Sequence, residues 1–294
     1  MISTNFVRKL VKDALEEDIG SGDLTTNAIV PKNARARAVI YARENGIVAG
    51  LDAAAGVFRQ LDKKSNIKKF VKDGTKVKRN QSLAQIKGKT KALLTGERTA
   101  LNFLQHLSGV ATLTGKYVDV VKPCRVKIFD TRKTIPGMRV LEKYAVKMGG
   151  GYNHRAGLCE MAMVKDNHLK HSIKCQVSSV RVSMKEIIQR MRRKMPRGMK
   201  IEIETKNLKE ARAAIESGAD IIMLDNMSVA MMKKAVRLVY RASCIVHRKK
   251  PIIEASGNVN LKNVRAIAKT GVDWISVGKL THSAPALDIS MEIE

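Results

Sequence analysis

The sequence contains no apolar run approaching the roughly eighteen residues that a membrane-crossing helix needs, so no span is expected. The amino terminus lacks a signal peptide's apolar core, and Asp13, Glu16, Glu17 and Asp18 come too early for an amphipathic presequence. A cytoplasmic location is the expectation. Cysteine is scarce: Cys124, Cys159, Cys175 and Cys244 show no CxxC spacing, which argues against a zinc site or a disulfide framework and leaves reduced packing thiols. Aromatic residues make up only 4%, too few for rows of base-stacking platforms, and no helix-turn-helix, zinc-finger or RRM pattern is present. Acidic side chains are in deficit, 27 against 55 lysines and arginines, for a formal net charge of +28. Such an excess attracts polyanions whatever their sequence, most of all along 185–200 and 233–250. Without stacking platforms it is read as solvated helix faces, with Ile187, Ile188 and Met191 turned inward, and nucleic acid is not expected as a partner.

What is present is enough apolar material, 44% of 294 residues, to bury one large or two ordinary cores. Cations are concentrated between Asp130 and His168, where Arg132, Lys133, Arg139, Lys143, Lys147, His154, Arg155, Lys165 and His168 surround Gly149-Gly150-Gly151. β-like runs at 126–129 and 161–164 bracket this stretch, which places Arg132 and Lys133 just past a strand's C-terminal end. Val140, Leu141, Tyr144, Ala145 and Met148 recur at helical spacing until the glycines release the chain. Arginine grips a carboxylate or phosphate with two parallel hydrogen bonds and lysine adds a compact charge, so the cluster points to an anionic ligand.

The first hundred residues read as a separate unit. Phe6, Val7, Leu10, Val11, Ala14 and Leu15 form an amphipathic helix ending near Gly20-Ser21-Gly22. Residues 36–48 read as β with a turn at Glu44-Asn45-Gly46, 53–61 as a short helix, and Asp73-Gly74 and Arg79-Asn80 as turns. In the helical run 93–107, Leu94, Leu101 and Leu104 are expected to face the core, with Arg98 on nearly the same side at i+4 from Leu94. A cation there needs a partner, and an intrachain acid would serve.

From Val110 onward strand alternates with helix, the β-like runs being 126–129, 161–164, 200–203, 221–224, 251–255 and 274–277. Asn207 with Glu210 is a capping box, and Gly218 stops the helix it opens. This alternation predicts a parallel sheet closed or nearly closed into a barrel, whose ligand-binding face carries the strand-end residues Asp130, Lys165, Glu204, Asp225, Ser256 and Gly278. Glu204 and Asp225 offer hard oxygen ligands for Mg²⁺ or acceptors for ribose hydroxyls, although paired acids also serve glycosidases or cap helices. Ser256-Gly257-Asn258 and Val277-Gly278 can turn backbone N–H groups toward a phosphate. His168 and His171 at i,i+3 lack a third ligand in register, His106 and His247 read as packed or solvated, and the fourteen methionines as core filler.

The motifs DTRKTIPGMRVLEKYAVKMGGGYNHRAGL and VKDNH resemble the signature of the quinolinate phosphoribosyltransferases. So do GSGDLTT, GERTALNFLQHLSG, IEIE, MLDN, EASGN and VGKLTHSAPALD, in order along nearly the whole chain. The resemblance implies an α/β protein: an amino-terminal α/β sandwich over 1–109, rejoined by the tail 281–294, and an open α/β barrel over 110–280. It implies transfer from phosphoribosyl pyrophosphate to quinolinate with decarboxylation, giving nicotinate mononucleotide, pyrophosphate and CO₂ in de novo NAD synthesis. By the same resemblance Arg98, Arg132, His154, Arg155 and Lys165 hold the two carboxylates, with Arg98 acting in trans in a homodimer or a hexamer of dimers. Ser256, Gly257, Asn258, Val277 and Gly278 would take the 5-phosphate, with His282 and Lys165 near the phosphate groups. Glu204 and Asp225 would hold Mg²⁺, directly or through water, and Lys133 would aid decarboxylation, which needs no organic cofactor. Lys133, Glu204 and Asp225 are therefore the catalytic candidates. The family's usual SGG is Ser256-Gly257-Asn258 here, and asparagine tolerates positive φ better than most residues. Two other readings stay open: a related transferase acting on nicotinate or another acid, and a non-catalytic basic binding protein, against which the intact acid pair argues.

Overall fold

The computed structural model describes residues 4–168, 183–246 and 250–294; His171, Cys175 and His247 lie outside the described residues. Two units are present: Met1–Lys116 with Lys133–Gly151 and Lys279–Glu294, and Tyr117–Arg132 with Tyr152–Gly278.

The first unit is built on a four-stranded antiparallel sheet in the order Ile289–Ile293, Arg35–Ala42, Ser82–Lys89, Asn66–Lys69. Its closing strand comes from the far end of the chain, and Met291 pairs with Ile40. The helix Thr4–Ile19 buries Val11 and Leu15, one turn apart, and the helix Leu51–Leu61 buries Ala54, Val57 and Phe58. The long helix Thr90–Val121 runs unbroken through Gly109. A Cβ at Gly109 would stand 2.0 Å from the Pro285 carbonyl oxygen, so this glycine permits close packing and does not end the helix. The phase of this helix corrects the sequence reading. Leu93, Ala100, Leu104 and Leu107 are fully buried and Leu101 nearly so, whereas Leu94 is 39% exposed and shares an outward face with the exposed Arg98.

The helix Arg139–Met148 differs from expectation in the same way. Its buried face carries Leu141, Ala145 and Val146 together with Glu142 and Lys143, while Val140 is exposed. Of the three glycines that follow, Gly150 takes positive φ (84°), and Gly149 lets the chain press against the long helix, where a Cβ would meet the Ala111 carbonyl at 2.3 Å.

The second unit is a six-stranded parallel sheet in the order Lys127–Phe129, Trp274–Ser276, Ile252–Ser256, Ile221–Asp225, Ile201–Thr205, Ala162–Val164. All six expected β runs are strands, shifted by a residue or two at most. Among the described residues the outer two do not pair with each other, so the barrel is open. Asn207 caps Leu208–Ser217 by accepting the Glu210 N–H at 2.9 Å, and Gly218 ends that helix at φ 80°. On Met184–Lys194, Ile188 is buried and Ile187 and Met191 half-buried, with arginines and lysines outward. Among the described residues no helix is long and apolar enough to cross a membrane.

Candidate active site

Parallel register sets the site in the second unit. Asp225 pairs directly with Ser256, and Val164 with Ile203, so Lys165 and Glu204 follow side by side at the ends of neighbouring strands. Lys165 Nζ stands 3.8 Å from Glu204 Oε2. Burial, followed by the charge of Asp225, holds Glu204 above the usual carboxylate range despite that lysine. Carboxylate oxygens at neighbouring strand ends are of the hard donor type that Mg²⁺ takes.

A second pair repels with the opposite sign. Arg155 anchors one guanidinium nitrogen on the Met161 carbonyl at 2.9 Å, and burial and then the charge of Arg132 push it below the usual arginine value. Two half-buried guanidiniums close enough to oppose each other are relieved by an anion, best by one carrying two negative groups.

The Ser256-Gly257-Asn258 turn is sharply bent, Gly257 at φ 91° and Asn258 at φ 51°. A Cβ on Gly257 would lie 2.2 Å from Asn226 Oδ1, so only glycine fits. Asn258 holds the bend by donating its Nδ2 to Asn226 Oδ1 at 3.0 Å, and its carbonyl accepts from Asn263 Nδ2 at 2.9 Å. Asparagine is thus held in the left-handed region at this position. Val277 is a correction: it is buried, and its N–H donates to the Phe129 carbonyl at 2.9 Å, which extends the sheet and removes it as a phosphate donor.

His154 also stands differently from expectation. Its backbone N–H donates to Asp130 Oδ1 at 2.8 Å, and its ring turns inward, with Nε2 3.2 Å from Glu202 and 3.3 Å from Glu254. Sequence reading passed over these two acids. Their signal was spacing: each precedes a strand-end residue, Glu204 or Ser256, by two positions, which in a strand places both on one face.

A family model described as "Quinolinate phosphoribosyl transferase, C-terminal domain" matches residues 110–292, and the corresponding N-terminal model matches 23–108. A probable nicotinate-nucleotide pyrophosphorylase [carboxylating] of Synechocystis is 43% identical over 279 residues, 95% of this chain and 90% of that protein. Its counterpart in Methanocaldococcus jannaschii is 40% identical and covers 98% of both chains. The solved nicotinate-nucleotide pyrophosphorylase of Francisella tularensis superposes with a TM-score of 0.90 at 37% identity, covering 100% of this chain and 98% of the other. The chain belongs to the quinolinate phosphoribosyltransferase family.

The remaining residues picked out by the family signature lie in the first unit. Lys133 is exposed, and its carbonyl accepts the Thr281 hydroxyl at 2.6 Å. His282, also exposed, pairs its Nδ1 with the Ser283 hydroxyl at 2.6 Å. Arg98 is exposed on the long helix. The second unit of this family member therefore gathers Arg132, His154, Arg155, Lys165, Glu204, Asp225 and the 256–258 turn, and the first unit carries Arg98, Lys133 and His282.

Proposed function

We propose that this family member joins the ring nitrogen of quinolinate to the ribose of phosphoribosyl pyrophosphate, releasing pyrophosphate and CO₂ and leaving nicotinate mononucleotide. Relatives across 90% or more of their length carry the carboxylating nicotinate-nucleotide pyrophosphorylase name. The observation that carries the reading is the opposed Arg132 and Arg155 in the same unit as the acid pair Glu204 and Asp225, one element suited to a dianion and one to a cation. Arg132, Arg155 and Lys165 hold the carboxylates of quinolinate. The Ser256-Gly257-Asn258 turn and Gly278 receive the 5-phosphate, with His282 toward the phosphate groups.

As the ring nitrogen attacks C1 of the ribose, the C1–pyrophosphate bond breaks and the ribose passes through an oxocarbenium-like state. Fixed cations aimed at the departing oxygens each contribute about 3 to 4 kcal/mol. Glu204 and Asp225 fit Mg²⁺, since both are hard oxygen donors and burial, then the charge of Asp225, already holds Glu204 above the usual carboxylate range. Bound Mg²⁺ would neutralise charge accumulating on pyrophosphate. In the product the ring nitrogen is cationic. The C2–carboxylate bond then breaks, its electron pair is stabilised beside that nitrogen, and C2 takes up a proton. Lys133 positions the departing carboxylate in this step.

Arg98 completes the dicarboxylate site of a second copy, in a homodimer or a hexamer of dimers; its exposure supports this role. The test is CO₂ release from carboxyl-labelled quinolinate, which should require both phosphoribosyl pyrophosphate and Mg²⁺. No release from folded protein would overturn the carboxylating assignment. Arg98→Ala and Arg132→Ala should each be inactive alone and recover about a quarter of wild-type activity when dissociated and mixed, because half the dimers then hold one intact site. Mixtures that stay inactive would refute action in trans.

A further inference from the structure

One layer below the strand ends the second unit buries an ionic cluster that the reaction above leaves unused. Glu202 and Glu254 are fully buried, and His154 is 8% exposed. Glu254 Oε1 accepts the Ser276 hydroxyl at 2.5 Å, whereas the other three carboxylate oxygens have no donor facing them but the His154 ring. Burying two carboxylates around one imidazole costs stability unless the charge is compensated, so the arrangement calls for a use.

A metal ion is one candidate, since the three ligand atoms lie within 4.8 Å of one another. The tautomer argues against it. The Arg155 backbone N–H donates to His154 Nδ1 at 2.9 Å, which leaves the ring hydrogen on Nε2, facing the carboxylates. A metal-bound imidazole has the reverse arrangement, with a bare nitrogen at the metal and an N–H donated outward. The hydrogen on Nε2 instead makes His154 a donor held between two acids. Its backbone is pinned as well, through Asp130. The charge of Glu202 also reaches the Arg155 guanidinium and offsets the repulsion from Arg132.

We propose that Glu202 and Glu254 are positioning residues for the anionic substrate: they seat the His154 ring inside the sheet, and the ring, through the Arg155 amide, sets where the Arg155 guanidinium stands. This rests on Arg155 binding a carboxylate of quinolinate. A displaced guanidinium weakens the hold on quinolinate and leaves the phosphate turn at 256–258 alone, so the signature is a split between the two Michaelis constants.

The sole tryptophan, Trp274, offers a second readout, with its ring edge-on to His154 at 6.4 Å. The experiment uses the full-length protein in its native assembly, with Glu202→Gln, Glu254→Gln, His154→Gln and the Glu254→Gln/His154→Gln double variant. Quinolinate KM should rise on the order of tenfold or more in each single variant, as expected for a guanidinium moved by a fraction of an ångström. The KM for phosphoribosyl pyrophosphate should stay within about twofold, and Glu254→Gln should add nothing to His154→Gln. Trp274 emission should shift in Glu202→Gln and in Glu254→Gln. If Glu202→Gln does not fold, Glu254→Gln carries the same test.

An unchanged quinolinate KM in folded variants overturns the proposal, and so does a parallel rise in both constants, which marks general loosening. Stoichiometric transition metal in the wild-type protein that is lost in Glu202→Gln would make the cluster a metal centre and equally overturn it. Wild-type protein that neither binds nor turns over quinolinate would remove the substrate reading and this proposal together; a competent wild type beside unaffected variants removes the proposal alone.

Discussion

Among the described residues two histidines meet buried carboxylates, and the two contacts are built differently. In the first unit His106 Nε2 lies 2.8 Å from Glu142 Oε1, and the other Glu142 oxygen accepts the Ile135 N–H at 3.2 Å. One acid with a donor on each oxygen closes the loop that follows Lys133. In the second unit one imidazole faces two acids, so its single Nε2–H is shared among three carboxylate oxygens that have no other donor. A matched buried pair is architecture. A mismatched one lowers stability and persists where it does something else.

The largest effect should come from the layer above the mismatched contact. Arg132→Ala is expected to lower CO₂ release about 10²- to 10³-fold, within the range for truncating one partner of a close, partly buried charge pair, with little change in the thermal midpoint. A loss under tenfold would break the comparison by showing that binding charge is not concentrated in the second unit.

Replacing each acid by methionine, similar in shape and uncharged, sharpens the contrast in stability. Glu142→Met strips the Ile135 N–H and His106 of their acceptor and should cost about 2 to 3 kcal/mol in urea unfolding. Glu202→Met leaves His154 matched one-to-one with Glu254 and removes a charge that burial penalises, so its stability should stay within about 1 kcal/mol of wild type while quinolinate turnover falls. Equal losses at the two positions would erase the distinction between matched and mismatched contacts.

The pH dependence of stability follows next in size. Burial alone pushes His154 down, but Glu202 and Glu254 outweigh it and raise the ring to about 10. A folded value above the unfolded one of about 6.5 means stability that is complete below pH ~6.5 and lost as pH rises through about 10. A second proton on the ring would have to displace the Arg155 amide from Nδ1. With that amide in place the ring stays neutral, so wild-type and His154→Gln stabilities should run parallel across the window. A wild-type curve that falls relative to the variant as pH rises toward about 10 would show that the proton wins and that the ring does not hold the Arg155 amide.

How much of this was legible follows from what each pattern encodes. The six parallel strands were readable because strands covered on both faces are written as continuous apolar runs, as in Ile221–Asp225. Their ends then named Lys165, Glu204, Asp225 and Ser256 through register alone. The helix faces were less readable. The doublet Leu93-Leu94 fits two helical phases, and the apolar residues of Arg139–Met148 do not reveal that Glu142 and Lys143 share its buried side. The hydrogen bond that takes the Val277 N–H lies one residue past the strand Trp274–Ser276, where no residue type signals it. The inward turn of His154 depends on acids on two other strands, a contact that only the tertiary fold creates.

The smallest effect belongs to Asn258, where the chain departs from the family's usual glycine. Glycine adopts φ near 51° without the penalty that a side chain meets there, about 1 to 2 kcal/mol in general and less for asparagine. Against that gain, Asn258→Gly gives up the exposed hydrogen bond to Asn226, worth about 0.5 to 1 kcal/mol, and adds freedom to the unfolded chain worth about 0.4 to 1 kcal/mol. The terms nearly cancel, so stability should shift by less than about 0.5 kcal/mol, and the KM for phosphoribosyl pyrophosphate should hold because the backbone shape of the turn is unchanged. Asn258→Ala separates the contributions: it keeps the strain and loses the hydrogen bond, so it should be the less stable of the two variants. If both variants instead raise that KM by the same factor, the Asn258 amide itself touches the phosphate, and the departure from glycine is a substitution of function and not of conformation.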